Sequence, residues 1–260
     1  MSNLPASAGW SWIREGFAIF RKQPGGLILL MLAYLLAGAV LGIIPLVGPL
    51  AVVILAPVFT AVFMQACEAA DRDVRITPEQ LRPAFSKPAL PRLAALGLTY
   101  LAVAALVMSA SLLVDGGMFL QLATGQVKPE SPEAQAANTG MALLFMLALY
   151  LPAAMASFFA APLIFWQQMK LGKALFYSFF AVLRALKPFL VYFLSWMAIF
   201  VLTSQLLGMV LGRGNLGKAV IQSLTIMMIM IVHCSVYAAY RTIFGVPGRQ
   251  QADGGELPPV

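Results

Sequence analysis

"GWSWIREGFAIFRKQPGG", residues Gly9 to Gly26, sets two tryptophans, three basic residues and a proline ahead of the first long apolar run. On a helical wheel of about 100° per residue, Trp10, Ile13, Phe17 and Phe20 share one arc, which Trp12 and Ile19 extend. Ser11, Arg14, Glu15, Arg21 and Lys22 take the opposite arc. An apolar stripe set against a basic face is the pattern of a helix lying in a membrane interface. The tryptophans suit headgroup depth, where an amphipathic ring is favoured. A cleavable signal would place its charges first, then a short apolar core and a small-residue cleavage site. Here the charges follow aromatics and the apolar region is a double span, so the segment reads as a surface helix that Pro24 ends.

Composition demands a membrane around that helix. Of 260 residues, 61% are hydrophobic and 10% charged, with mean hydropathy +0.86. Soluble domains carry about 25% charged residues, and no compact soluble fold hides this much apolar surface. The net charge of +7 fits basic loops on one side of a bilayer; no nucleic-acid partner is expected. Cys67 and Cys234 lie in or at the edge of apolar runs and are expected as packed, reduced thiols.

A hydrocarbon core of about 30 Å takes about 20 helical residues. Six segments qualify: Gly25–Ile44, Leu50–Ala69, Leu93–Val114, Met141–Trp166, Phe189–Leu211 and Ala219–Tyr240. "PLVGP" (Pro45–Pro49) and "GRGNLGK" (Gly212–Lys218) make tight reversals, and Asp115–Gly140 resembles a soluble linker. Pro57 and Pro162 are expected to kink their spans. The N-terminal segment, the loops after spans two and four, and the C-terminal tail carry three, five, four and two Lys or Arg, fourteen of the seventeen. The positive-inside rule then puts both termini in the cytoplasm and the Asp115–Gly140 loop outside.

The surface-helix device recurs. "MKLGKALFYSFFAVLRALKPF", Met169 to Phe189, sets Lys170, Lys173, Tyr177, Arg184 and Lys187 on one face, against Leu175, Phe176, Phe179, Val182, Leu183 and Leu186. A weaker copy starts at "TPEQLRPAF", with Thr77 as N-cap and Pro78 as first helical residue. The chain is therefore expected to be all-α and polytopic, with six transmembrane helices as three hairpins. An interfacial amphipathic helix, at residues 8–23, 77–86 and 171–187, precedes each hairpin. All three units start on the same side, which makes them parallel repeats. Residues 1–246 read as one transmembrane domain and 247–260 as a flexible cytoplasmic tail.

Candidate sites are few. His233, the sole histidine, lies in span six, where an ionisable residue is a functional candidate; an interhelical hydrogen bond is the expected role, proton or ligand handling the alternative. Met227, Met230, His233 and Cys234 share a face whose soft atoms suit Cu(I), although methionine is more often a core filler. Thr203, Ser204 and Gln205 in span five face Gln222, Ser223 and Thr225 in span six, as bridging hydrogen bonds or as a polar cavity lining. The glycine pairs Gly38/Gly42 and Gly208/Gly212 permit close helix approach. Glu68, Asp71, Arg72, Asp73 and Arg75 read as a solvated charged face. Trp10, Trp12, Arg14, Arg21, Lys22, Lys173, Arg184 and Lys187 are the expected interfacial anchors, meeting the bilayer and its anionic lipids. No nucleophile–base pair, phosphate loop or metal motif can be assembled, so neither catalysis nor a cofactor is expected.

"GWSWIREGFAIFRKQP", "IPLVGPL" (Ile44–Leu50), "APVFTAVFMQACEAADR" (Ala56–Arg72) and "YAAYRTIFG" (Tyr237–Gly245) resemble an uncharacterised family of six-span bacterial inner-membrane proteins. That resemblance covers nearly the whole chain and implies an inner-membrane location with no activity to transfer. The alternation of surface helices and hairpins is more loosely similar to the membrane anchor of bacterial glycerophosphodiester phosphodiesterases, without their catalytic domain. The function expected is a non-enzymatic envelope scaffold or accessory protein, meeting lipids or an unknown membrane protein partner. The alternative is a small transporter or channel for a neutral or lipidic substrate.

Overall fold

The computed structural model describes residues 4–128, 131, 139–212 and 214–247, and among these every regular element is helical. The first helix, α1 (Ala8–Lys22), lies ahead of the first hairpin, α2 (Pro24–Gly42) and α3 (Val47–Asp71). A short α4 (Pro78–Leu81) continues as a 3-10 turn (Arg82–Phe85) into α5 (Ala89–Asp115). Beyond α6 (Met118–Ala123), the second hairpin returns as α7 (Thr139–Ser157) and α8 (Ala160–Trp166). Then come α9 (Leu171–Arg184) and the last hairpin, α10 (Leu186–Leu211) and α11 (Asn215–Phe244). Among the described residues, six segments are long and apolar enough to cross a membrane, with α7 and α8 together making the fourth.

Their surfaces require hydrocarbon. Only 11% of the most apolar window of α2, and the same of α10, is buried inside the protein. In water that exposure would cost about 25 cal/mol for each Å² left unburied; in a bilayer it costs nothing. The side carrying α1, α4 and α9 is called basal here, and the side of the hairpin turns apical.

The basal helices interlock the units. α1 packs chiefly on α11 and α10, α4 and the 3-10 turn on α3 and α5, and α9 on α7 and α8. Each surface helix thus meets the hairpin preceding its own, and α1 closes on the last, as parallel repeats around one axis would.

Small residues make this approach possible, and they rotate the packed faces away from the expected ones. On α1 the buried residues are Gly9, Trp12, Ile13, Gly16, Ile19 and Phe20, while Trp10 is 46% exposed. A Cβ on Gly16 would lie 2.7 Å from the backbone nitrogen of Ser235, and one on Gly9 would overlap the carbonyl of Pro188. On α9 the buried stripe is Ala174, Ser178, Ala181 and Val182, whereas Phe176 and Leu183, like Leu186 at the start of α10, are exposed. The large apolar side chains of the surface helices do not all face protein; at several positions the small ones do.

The fourth span breaks, but ahead of Pro162. Helix ends at Ser157 and restarts at Ala160. Proline at 162 has no N–H for the carbonyl of Phe158 and its ring crowds that carbonyl. Ser178 of α9 reaches into the break: the Phe159 N–H donates to its Oγ (2.9 Å), and its hydroxyl donates to the carbonyl of Met155 (2.8 Å). Backbone groups freed in a membrane helix need such partners. Helix α3, by contrast, runs through Pro57 without interruption. The expected linker Asp115–Gly140 holds α6, and Gly116 takes the left-handed φ of +64° that closes α5. Residues 129–130, 132–138 and 213, and the expected tail beyond Pro247, lie outside the described residues.

Candidate functional site

The charged run after span two is more than a solvated face. Asp71, at the end of α3, accepts hydrogen bonds from Arg241 Nη1 and from the Tyr237 hydroxyl (3.2 Å), both of α11. The other arm of the Arg241 guanidinium donates to Glu15 of α1 at 2.7 Å. One guanidinium therefore ties three elements. Beside it, Lys22 Nζ donates to the Asp71 carbonyl (2.6 Å) and to the Asp73 carboxylate (3.1 Å). Gln23 donates to the Val74 carbonyl (2.7 Å) and accepts the Ile76 N–H (3.2 Å). Arg72 pairs with Glu68 (2.9 Å) and donates to the Pro247 carbonyl (2.6 Å), which brings the chain's last described residue to the same layer. Sequence alone hints at this through one oddity: Glu15 is the lone acid on the basic face of α1.

Behind the ties lies an aromatic layer. Trp12 meets Phe189 at 5.2 Å and Tyr192 at 6.1 Å; Phe159 meets Phe189, Tyr240 and Phe244. The hydroxyl of Ser235 donates to the Val232 carbonyl (2.7 Å), so the Tyr192 hydroxyl donates to Ser235 (2.8 Å). The basal ends of α8, α10 and α11 are thereby filled with side chains.

On the far side of α3 a cleft of about 680 Å³ opens between α2, α3 and the segment Ile76–Phe85. Its walls are apolar residues of the two spans, including Leu29, Leu30, Phe59 and Val62, with Tyr34 edge-on to Phe59 at 4.8 Å. Apart from the Tyr34 hydroxyl, its hydrophilic lining groups are Thr77, Glu79 and Arg82, all from the one basal segment. Glu79 and Arg82 are exposed, and their side chains form no hydrogen bond or ion pair with another described residue. The sequence marks this stretch as a surface helix and gives no sign of the cleft, because only the fold shows what lies above it. A smaller cavity of about 370 Å³ separates Met31 of α2 from Met227 and Met230 of α11.

The residues singled out by sequence are dispersed. Gln205 and Gln222 are exposed, as are Ser204 and Ser223. Ser223 and Thr225 donate within their own helix, to the carbonyls of Ala219 and Ile221. The bridging bonds expected between spans five and six are replaced by these local ones, and neither glutamine lines either cavity. The Nδ1–H of His233 likewise donates within α11, to the Ile229 carbonyl (2.9 Å), and what crosses to α3 is a ring contact with Phe63 at 4.7 Å. The expected interhelical hydrogen bond of His233 is thus corrected to ring packing, since the nearest acceptor lies one turn back on its own helix. A Cβ added to Gly38, Gly42 or Gly208 would meet no atom within 4 Å. Among the anchors, Trp12 is 1% exposed, held between aromatic rings of the protein. Arg14, Arg21, Lys173, Arg184 and Lys187 are exposed, and Lys173 sits 5.6 Å from the Tyr177 ring. Lys22 is committed to Asp73.

The two cysteines, 167 positions apart, meet at the crossing of α3 and α11 with their sulfurs 3.0 Å apart, both free and fully buried. No group of three or more His, Cys, Asp or Glu side chains positioned for a metal ion exists among the described residues.

No family model matches the chain, which leaves the likeness to phosphodiesterase anchors without support, and no solved structure matches it. A "probable inner membrane protein" of Burkholderia thailandensis is 32% identical over 265 residues, an alignment covering 98% of this chain and 96% of that relative. With that identity along essentially the whole of both chains, and six segments fit to cross a bilayer, the chain belongs to the family of this probable inner membrane protein.

Proposed function

We propose that this protein is a non-enzymatic scaffold or accessory of the bacterial inner membrane, both termini cytoplasmic, whose basal layer meets lipids or a partner protein. The carrying observation is the basal layer itself: three surface helices seated on the hairpins, α1 and α9 through side-chain hydrogen bonds and α4 through packing, with an aromatic core behind them. Arg14, Arg21, Lys173 and Lys187 project from that layer, and each basic residue near an anionic surface contributes about 1 kcal/mol. Their exposure on a braced platform supports lipid or partner contact at the cytoplasmic face. The transporter alternative draws support from the polar residues of α10 and α11: Ser223 lines the smaller cavity and His233 is half-buried, whereas Gln205 and Gln222 are exposed and line neither cavity described above.

Proteoliposomes test the reading. Solute flux is expected to equal that of empty vesicles. Charge reversal at Arg14, Arg21, Lys173 and Lys187 is expected to lower the anionic lipid that copurifies. Flux that disappears on Gln205→Leu with Gln222→Leu would overturn the proposal in favour of transport. Topology is checked separately with reporters on both termini, where an outward signal from either end defeats the sidedness.

A further inference from the structure

We infer that the cleft between α2, α3 and the Ile76–Phe85 segment is a binding site for one phospholipid whose headgroup carries both a phosphate and a primary ammonium. The inference rests on the proposed lipid-facing role and names its partner. Three observations lead to that chemistry. First, the cleft's volume, about 680 Å³, falls within the roughly 300–1,000 Å³ typical of built ligand sites. Second, its polarity is sorted along its length: hydrocarbon walls from the spans, hydrophilic groups only on the basal segment apart from the Tyr34 hydroxyl. An occupant matching that order has an acyl chain in the groove and its polar end at Thr77, Glu79 and Arg82. Third, the rim bears one cation and one anion, neither engaged by another described residue. A guanidinium offers a forked donor to phosphate oxygens, and a carboxylate one turn earlier in the chain accepts an ammonium.

Charge complementarity thereby separates this site from the basic platform around it. Arg14, Arg21, Lys173 and Lys187 attract any anionic lipid and carry no acid of their own in the cleft. The cleft's two opposite, unengaged charges match a zwitterion, and Glu79 repels a headgroup whose only charge is negative. The site is also shaped by close packing, since a Cβ on Gly26 would already lie 3.3 Å from Ile76 Cδ1 at the cleft's edge.

The test uses the full chain in nanodiscs with equal phosphatidylethanolamine and phosphatidylglycerol, followed by native mass spectrometry of retained lipid. One phosphatidylethanolamine per chain is expected to be held in preference to phosphatidylglycerol. Arg82→Ala is expected to lower its retention about tenfold, as losing a charge-assisted hydrogen bond does. Glu79→Ala is expected to erase the preference while keeping phospholipid bound. Ala33→Trp, which fills the groove without touching either charge, is expected to abolish retention; unaltered hydrogen exchange in α1 certifies that each variant is folded. Retention unchanged in Arg82→Ala, preference for phosphatidylglycerol, or no retained lipid in the wild type would each overturn the assignment. Flux measured on the same purified protein reconstituted in proteoliposomes separates the two readings: lost retention without flux removes this site alone, whereas glutamine-dependent flux removes the proposed function.

Discussion

Along α10 and α2, the basal half carries the buried side chains and the apical half carries none. In α10 the buried residues are Pro188, Phe189, Tyr192 and Trp196, all basal, while Leu202, Leu206 and Met209 further along are exposed. In α2 they are Leu27 and Met31, while Leu36 and Val40, and Ile43 just beyond its end, are exposed. The difference shows what holds helices together in lipid. Leucine gains nothing by leaving acyl chains for another leucine, so association follows close backbone approach and polar bonds. The basal end supplies both: Gly9 and Gly16 under α10 and α11, Arg241 between two acids, and Ser178 inside a broken helix.

Filling the close approach of α1 to α11 should produce the largest effect of the variants considered. Gly16→Leu sets a branched side chain where even a Cβ would lie 2.7 Å from Ser235. α1 must lift away or α11 must shift, at an expected cost of about 3 kcal/mol. The readouts are a lowered midpoint of thermal unfolding in detergent and faster amide exchange across Ala8–Lys22. An unchanged midpoint would refute the tight seating of α1.

Arg241→Ala comes next. It leaves Asp71, 20% exposed, with only Tyr237, and Glu15 with nothing in the network. The pair with Asp71 is the more sheltered one, so an overall loss of about 2 kcal/mol is expected, most of it from that arm. Glu15→Gln alone should cost under about 1 kcal/mol, because its carboxylate is 40% exposed and partly hydrated. Equal losses for Glu15→Gln and Asp71→Asn in the same unfolding assay would show that the exposure argument fails. Ser178→Ala is smaller still than Arg241→Ala, about 1 kcal/mol, since the Phe159 N–H and Met155 carbonyl lose one partner atom. Its signature is local: exchange at Phe159 should accelerate more than exchange in α11.

These ranks also mark what the chain's residues disclose unaided. Span number, hairpin turns and the surface helices follow from hydropathy and charge, because a bilayer imposes length and polarity on each segment separately. Trp12, Gly16 and Ser178 are different. Whether Trp12 faces headgroups or Phe189 depends on which neighbour occupies the groove, and α1's main neighbours are α10 and α11, the last two helices among the described residues. The break before Pro162 needed a partner 19 residues on, and Cys67 meets a cysteine 167 positions away. Glycine patterns mislead in the same manner: Gly38 and Gly208 meet nothing, whereas Gly97, in no pair, is the residue that lets α5 close on the carbonyl of Ile54. Periodicity reports a helix's own faces, and pairing is a property of two helices.

The apical half supplies the opposing limit. Gln205 lies six residues from the end of α10, about 9 Å along its axis, and Gln222 is similarly near the start of α11. At that depth an exposed carboxamide reaches interfacial water, so neither needs the other. Gln205→Leu with Gln222→Leu should therefore change the unfolding midpoint by less than the roughly 0.6 kcal/mol typical of one intramembrane hydrogen bond. A cost several times larger, with non-additive single variants, would mean that the apical ends of α10 and α11 close on one another through these amides. The contrast between a fastened basal layer and an open apical one would then no longer hold, and packing driven by polar bonds would extend through the whole of the third hairpin.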